Sequence, residues 1–172
     1  DISIKLNPNI DRTYFEKSII LFDIEKYEEA IINLNKVIEL NPKEEGAYYN
    51  IGLIKIELEN YIEAIEYFNK VIELNPKEEG AYYNIAYSKV ILKKYEDAII
   101  YINKVIELNP KNEHAYYLMA GCQYDLKKYN IAIEYYNKVI KLNNNNKYAY
   151  FLKSICKVYL ENENAIEDLI NF

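Results

Sequence analysis

With one methionine, two cysteines, four glycines and four prolines in 172 residues, the chain is most informative first for what it has little of. The lone histidine, His114, has no second histidine to build a metal cluster with, and no Ser/His/Asp arrangement has a second candidate. Four scattered glycines form no phosphate-cradling loop. Together with only four prolines they leave no flexible linker, so residues 1–172 read as one continuous domain. The longest apolar runs are far too short to cross a bilayer, and no charged-then-apolar leader opens the chain. No catalysis, metal, cofactor or membrane insertion is expected, and the cytoplasm is the expected location. A net charge of -6, with both signs interspersed, argues against a polyphosphate ligand and so against nucleic acid.

The scarce prolines are placed at one interval. Pro8, Pro42, Pro76 and Pro110 stand 34 residues apart, and proline ends helices, so each marks where a repeated unit turns. The stretch Asn35–Ile51 recurs letter for letter as Asn69–Ile85, returns slightly altered from Asn103, and is eroded from Asn137, where Asn144 replaces the proline. Counted from Asp11, the repeats span 11–44, 45–78, 79–112 and 113–146. Residues 147–172 form a partial or degenerate fifth, and residues 1–10 the end of a preceding one. The chain thus starts and stops inside repeats, which suggests a segment of a longer array or a mature chain without its leader. In such an array each unit packs only on its neighbours, and the product is a long surface rather than one deep pocket.

Each unit reads as two helices. In the second, Ala47, Tyr48, Ile51, Gly52 and Leu58 fall on one helical face. After Glu59-Asn60 a second stripe runs through Tyr61, Ala64, Ile65, Phe68, Val71, Ile72 and Leu74, and Asn75-Pro76 ends it. No stretch alternates with a strand's period, so the fold class is all-α, built of antiparallel helix pairs.

These residues resemble the tetratricopeptide repeat over the whole chain. Position 4 is Tyr14, Tyr48, Tyr82, Tyr116 and Tyr150, and position 8 is small throughout (Ser18, Gly52, Ala86, Ala120 and Ser154). Position 17 is Tyr27, Tyr61, Tyr95 and Tyr129, and position 20 is Ala30, Ala64, Ala98 and Ala132. The resemblance implies an α-solenoid wound as a right-handed superhelix. Two departures stand out. Position 11, usually Tyr, is Leu21, Lys55, Lys89, Gln123 or Lys157, whose stems are expected to cover the same surface while charged heads reach water. The last unit lacks the position-17 tyrosine, and its turn reads one residue short, since Ala165 arrives early.

The stripe at positions 3, 4, 7, 8 and 14 of each first helix is expected to pack into the stack. The other face, which a solvated helix would fill with charge, is apolar and aromatic instead. The resemblance places that face on an inner concave groove. The groove candidates are Tyr49, Asn50, Leu53, Tyr83, Asn84, Tyr87, Tyr117, Tyr124 and Phe151. The position-5 aromatics are anchor types. Asn50 and Asn84 can offer donor and acceptor to the backbone of an extended peptide, as similar asparagine rows do in the arrays of O-linked sugar transferases. The family's clamp for acidic chaperone tails does not carry over: position 5 is aromatic throughout and no unit has Asn at position 9. His114, at position 2, reads as a rim or solvent residue.

Cys122 and Cys156 occupy one position of adjacent units, roughly 8–10 Å apart at helix-packing distance, beyond the roughly 7 Å reach of a disulfide. Both are expected to be reduced and buried. Glu66 with Lys70, and Glu134 with Lys138, are i,i+4 pairs. The functional reading is a scaffold or adaptor whose groove takes a peptide or helix from a protein partner. The alternatives are the recognition arm of a larger enzyme, or a module that forms homo-oligomers through its array ends, where Ile166, Leu169 and Ile170 lack a covering unit.

Overall fold

The structure, a computed structural model, describes residues 10–170, with side chains to residue 162. These residues form α1 (Ile10–Asp23), α2 (Tyr27–Leu40), α3 (Glu45–Glu57), α4 (Tyr61–Leu74), α5 (Glu79–Ile91), α6 (Tyr95–Leu108), α7 (Glu113–Asp125), α8 (Tyr129–Leu142) and α9 (Lys147–Ile170). Among the described residues there is no strand, and no helix is long and apolar enough to cross a membrane. The expected all-α class holds.

Two compact units divide the chain, Asp1–Ser88 and Lys89–Phe172. In the first, α1 pairs with α2, α2 packs on α3, and α3 pairs with α4. In the second, α6 packs on α7, α7 pairs with α8, and α8 with α9. Each hairpin turn takes the same route. Glu25, Glu59, Lys93 and Lys127 sit in the left-handed region, at φ 59°, 56°, 58° and 59°. The next residue's N–H reaches back five residues, as in Asn60 to Lys55 O at 2.8 Å and Lys128 to Gln123 O at 2.8 Å. That is the Schellman closure, made here on residues other than glycine, which satisfies the last carbonyls of the first helix.

Asparagine, rather than proline, terminates the second helices. The N–H groups of Asn41, Asn75, Asn109 and Asn143 close the last turn onto Val37, Val71, Val105 and Val139. Their Oδ1 atoms accept from the N–H two residues on, at 3.1–3.2 Å. This side-chain turn diverts the chain, and it does so at Asn143 although Asn144 stands in proline's place. Next, the position-4 tyrosine donates to the proline carbonyl of the preceding repeat, Tyr48 to Pro42, Tyr82 to Pro76 and Tyr116 to Pro110, at 3.2–3.3 Å.

The core follows the repeat. Ala30, Ala64, Ala98 and Ala132 are fully buried, as are Ala47, Ala81, Ala115 and Ala149 at position 3. Position 8 shows why it must be small: a Cβ on Gly52 would stand 2.8 Å from the ring of buried Phe68. One correction concerns the stripe. Position 10, not position 14, completes it in the second to fifth units, for Ile54, Ser88, Cys122 and Cys156 are all fully buried while Leu58 is 42% exposed; in the first unit Ile20, at the same position, is 62% exposed. Position 10 lies three residues after position 7, one helical turn along the same face, and position 14 opens into the turn. Both cysteines are free and buried as expected, and burial pushes the Cys122 thiol up to about 12.

Three further expectations change. Lys55 and Lys89 cover surface with their stems, but their heads meet carboxylates on the following helix, Glu63 at 2.6 Å and Asp97 at 3.0 Å. Lys70 pairs with Glu73 at 2.6 Å rather than with Glu66, and Lys138 lies over two tyrosine rings rather than against Glu134. The fifth unit makes no turn: α9 continues as one helix through the place where Glu161-Asn162 would turn. The repeat there offers Glu163 instead of the position-17 tyrosine, so no ring seats a returning helix. Residues 1–9, and the apolar face Ile166, Leu169 and Ile170, lie outside the described side chains.

Candidate functional site

Eight of the nine candidate groove residues sit on the first helix of a pair and Phe151 on the unturned α9, and each unit presents its own set. In the unit Asp1–Ser88, Tyr49 is half-buried and edge-on to Phe68, with ring centroids 5.4 Å apart. The Tyr49 hydroxyl accepts from Nδ2 of Asn84 at 3.1 Å. A Cβ at Gly80 would stand 2.6 Å from that hydroxyl, and one at Gly46 would stand 3.2 Å from the Phe15 ring. The glycines at position 2 are therefore seats: each leaves room for the position-5 ring of the preceding repeat. Burial pushes the Tyr49 phenol up, the Asn84 hydrogen bond draws it down, and nearby Glu78 raises it.

These contacts give the two asparagines distinct jobs. Asn84 steadies an aromatic of the preceding repeat, whereas Nδ2 of Asn50 donates to Gly46 O, one turn back on its own helix, at 2.7 Å. Each has one amide donor committed within the protein. Leu53, Tyr83 and Tyr87 are half-buried on the same helices, and burial, then the neighbouring Tyr87, pushes the Tyr83 phenol up. Beside the rings lie two open depressions at equivalent places. One, of about 180 Å³, is lined by Glu45, Gly46, Tyr49, Val71 and Glu78. The other, of about 260 Å³, is lined by Asp11, Arg12, Phe15, Val37 and Glu44. Sequence reasoning missed their carboxylates at positions 1 and 34; the recurrent glycine at position 2, facing an aromatic, was the available signal.

In the unit Lys89–Phe172, Tyr117 is half-buried and edge-on to Tyr136 at 6.0 Å. Tyr124 meets Tyr129 at 5.7 Å and Tyr159 at 6.0 Å, while Tyr129 and Tyr159 stack at 5.2 Å. Tyr124 is thus one member of a three-ring cluster, and its ring has packing work to do. Phe151 is the most open candidate, 63% exposed, beside Tyr148 at 75%. His114, at position 2 of α7, is exposed as a rim residue would be.

Comparison with known proteins bears on the repeats and the fold. Residues 46–78 match the family described as tetratricopeptide repeat, residues 20–58 the TPR repeat, and residues 93–169 the anaphase-promoting complex, cyclosome, subunit 3. No curated protein matches. Among solved structures, MamA 41-end from Desulfovibrio magneticus RS-1 is similar at 20% identity and TM-score 0.84, over 95% of this chain and 92% of that one. YrrB, described as a TPR protein with an unusual peptide-binding site, is similar at 22% identity and TM-score 0.79, over 93% and 82%. The first TPR of Spaghetti (RPAP3), bound to the HSP90 peptide SRMEEVD, is similar at 24% identity and TM-score 0.66, over 69% and 94%. With its 34-residue helix pairs, its position-4 and position-17 tyrosines and these matches, the chain carries tetratricopeptide repeats and has the α-solenoid fold.

Proposed function

We propose that this chain is a scaffold or adaptor, a binding module rather than an enzyme, which receives a peptide or helical segment of a partner protein on the face of its first helices. The carrying observation is the row of position-5 aromatics: Tyr49 is seated against the next repeat's glycine and asparagine, with ring edge and open depression left accessible beside it. Rigid, half-buried aromatics are the residues that carry binding energy at interfaces. Two similar structures support the reading, since YrrB is described by its peptide-binding site and the RPAP3 domain holds an HSP90 peptide. In this reading residues 1–172 act as one array, with Tyr49, Leu53, Tyr83, Tyr87, Tyr117, Tyr124 and Phe151 as apolar contacts, and Asn50 and Asn84 using their remaining amide groups on the ligand backbone.

The rims decide which ligands fit. Glu44, Glu45 and Glu78 border the two depressions with Arg12 as the only base among their lining residues. A ligand with apolar side chains and a neutral to basic balance fits that field, and an acidic tail does not. The test is selection from a random-peptide display library, followed by photo-crosslinking from a benzophenone side chain placed at Leu53. Enriched peptides should be apolar with a neutral or basic balance and should crosslink at residue 53. Enriched apolar peptides of neutral or basic balance that give no crosslink from residue 53 would refute the reading.

A further inference from the structure

The fourth repeat carries a charge inversion that the first-helix face does not explain. In α2, α4 and α6, three carboxylates stand against one lysine; α8 has Glu134 alone against Lys138 and Lys141. Between Lys127 and Tyr159 the chain places seven lysines and that single carboxylate, although its overall charge is -6. Two positions account for the change on the helix. Position 29 is Glu39, Glu73 and Glu107 in the first three repeats, and each neutralises the lysine three residues before it at 2.6–2.7 Å. In the fourth it is Lys141. Position 19 is Glu29, Glu63 and Asp97, then Ile131.

The freed lysine has a built surrounding. Nζ of Lys138 stands 5.4 Å from the Tyr116 ring centre and 4.9 Å from that of Tyr135, and the two rings stack 6.4 Å apart at 27°. Tyr116 is fixed by its hydrogen bond to Pro110 O at 3.2 Å. Pro110, Tyr116, Lys138, Lys141 and Leu142 line an open depression of about 330 Å³. The second repeat shows the counterpart, about 270 Å³ lined by Tyr48, Glu63, Glu66, Tyr67 and Lys70. There the same Tyr–Tyr–Lys set is surrounded by carboxylates and Lys70 is taken by Glu73. Neither Lys138 nor Lys141 forms an ion pair among the described residues.

We infer that this depression is a second docking site, which takes an acidic segment of a partner protein, with one carboxylate held between Lys138 and Lys141 and an adjacent apolar side chain against Tyr116 and Leu142. The Lys138 ammonium stands over two ring faces, and with Lys141 beside it a carboxylate meets two cations and an apolar wall at one place. Two lysines in one depression can hold one or two carboxylates but not the run of phosphates along a nucleic acid backbone, so a short acidic peptide is favoured over nucleic acid.

Fluorescence anisotropy with a labelled hexaglutamate peptide tests this, using hexaglutamine, oligothymidylate and phosphatidylserine vesicles as competitors, at low and near-physiological salt. Hexaglutamate should bind and hexaglutamine should not. Lys141→Glu, which writes into the fourth repeat the pair that the other three fold with, should weaken binding at least about tenfold, with the melting temperature unchanged. Lys43→Glu, the same charge change in an exposed loop of the other unit, should alter it by less than about twofold. Glu63→Ile with Glu73→Lys, which gives the second repeat both fourth-repeat residues, should create a second site in the chain. Equal losses from Lys43→Glu and Lys141→Glu, no binding of hexaglutamate, or tighter binding of oligothymidylate or vesicles would each overturn the inference.

Discussion

The second and fourth repeats have nearly the same frame and different interiors and surfaces. Both turn through a left-handed residue, Glu59 or Lys127, and both close with the same five-residue hydrogen bond. In both, the terminating asparagine also donates to the first residue of the repeat, Asn75 to Glu45 and Asn143 to Glu113, at 3.2 Å each. Yet where the second repeat buries Ile54 and Phe68, the fourth buries Cys122 and Tyr136, and where the second sets carboxylates around Lys70, the fourth sets Lys141 beside Lys138. The frame is held by backbone closures, small residues and alanines, and those are indifferent to charge on the outside. Recognition can therefore change repeat by repeat without cost to the fold, as expected when each unit contacts only its neighbours.

The largest effect should come from emptying the paired ring sites. Phe68→Ala and Tyr136→Ala should each cost about 3–5 kcal/mol in denaturant melts, because both side chains are almost wholly buried between the helices of their pair. A much smaller loss at Tyr136 than at Phe68 would show that the two interiors are not equivalent after all.

Alkaline pH should separate the repeats next. Burial raises Cys122, to about 12, and Tyr136, whereas the second repeat has no titratable group at either place. A raised thiol or phenol keeps its proton longer in the folded state, so the stabilisation is complete below the ordinary thiol range and falls as pH climbs toward 12. Hydrogen exchange should show α7 and α8 opening before α3 and α4 as pH rises from 8 to 11, roughly the window between ordinary and shifted values. Cys122→Val with Tyr136→Phe should remove the difference.

Smaller still is the turn. Glu59→Gly and Lys127→Gly should each stabilise by about 0.5–1 kcal/mol, since glycine adopts the left-handed conformation without the Cβ penalty. Equal gains at the two sites would strengthen the equivalence of the frames; a loss at either would mean that the side chain contributes something there beyond the turn.

The fold was legible because its determinants recur: the 34-residue interval, the small position 8 and Ala at position 20 are all visible in one dimension. Less legible was anything depending on which repeat a side chain leans toward. Asn84 looked like a free ligand contact, but its amide is tied to Tyr49 of the repeat before it. Position 14 looked like core, yet Leu58 opens to solvent in the turn while Ile54 takes the buried place. The fifth unit looked like a shortened hairpin, and without a tyrosine to seat a second helix it ran on as α9. The nine aromatic, aliphatic and amide candidates were found by elimination, as what packing left over. The carboxylate rims of the depressions were not, because only the packed structure brings positions 1, 5, 27 and 34 together.

Calorimetry of a display-selected peptide against the Tyr83→Ala/Asn84→Ala double variant tests the central claim most directly. If the aromatic face of the first helices is the binding surface, affinity should fall by a factor corresponding to about 2 kcal/mol or more, while helical circular dichroism is retained and the melting point drops only modestly, by the lost Asn84–Tyr49 bond and half-buried ring. Unchanged affinity in that variant, together with loss of binding when Ile62 or Ile100 on the outer faces of the second helices is changed to Asp, would contradict it.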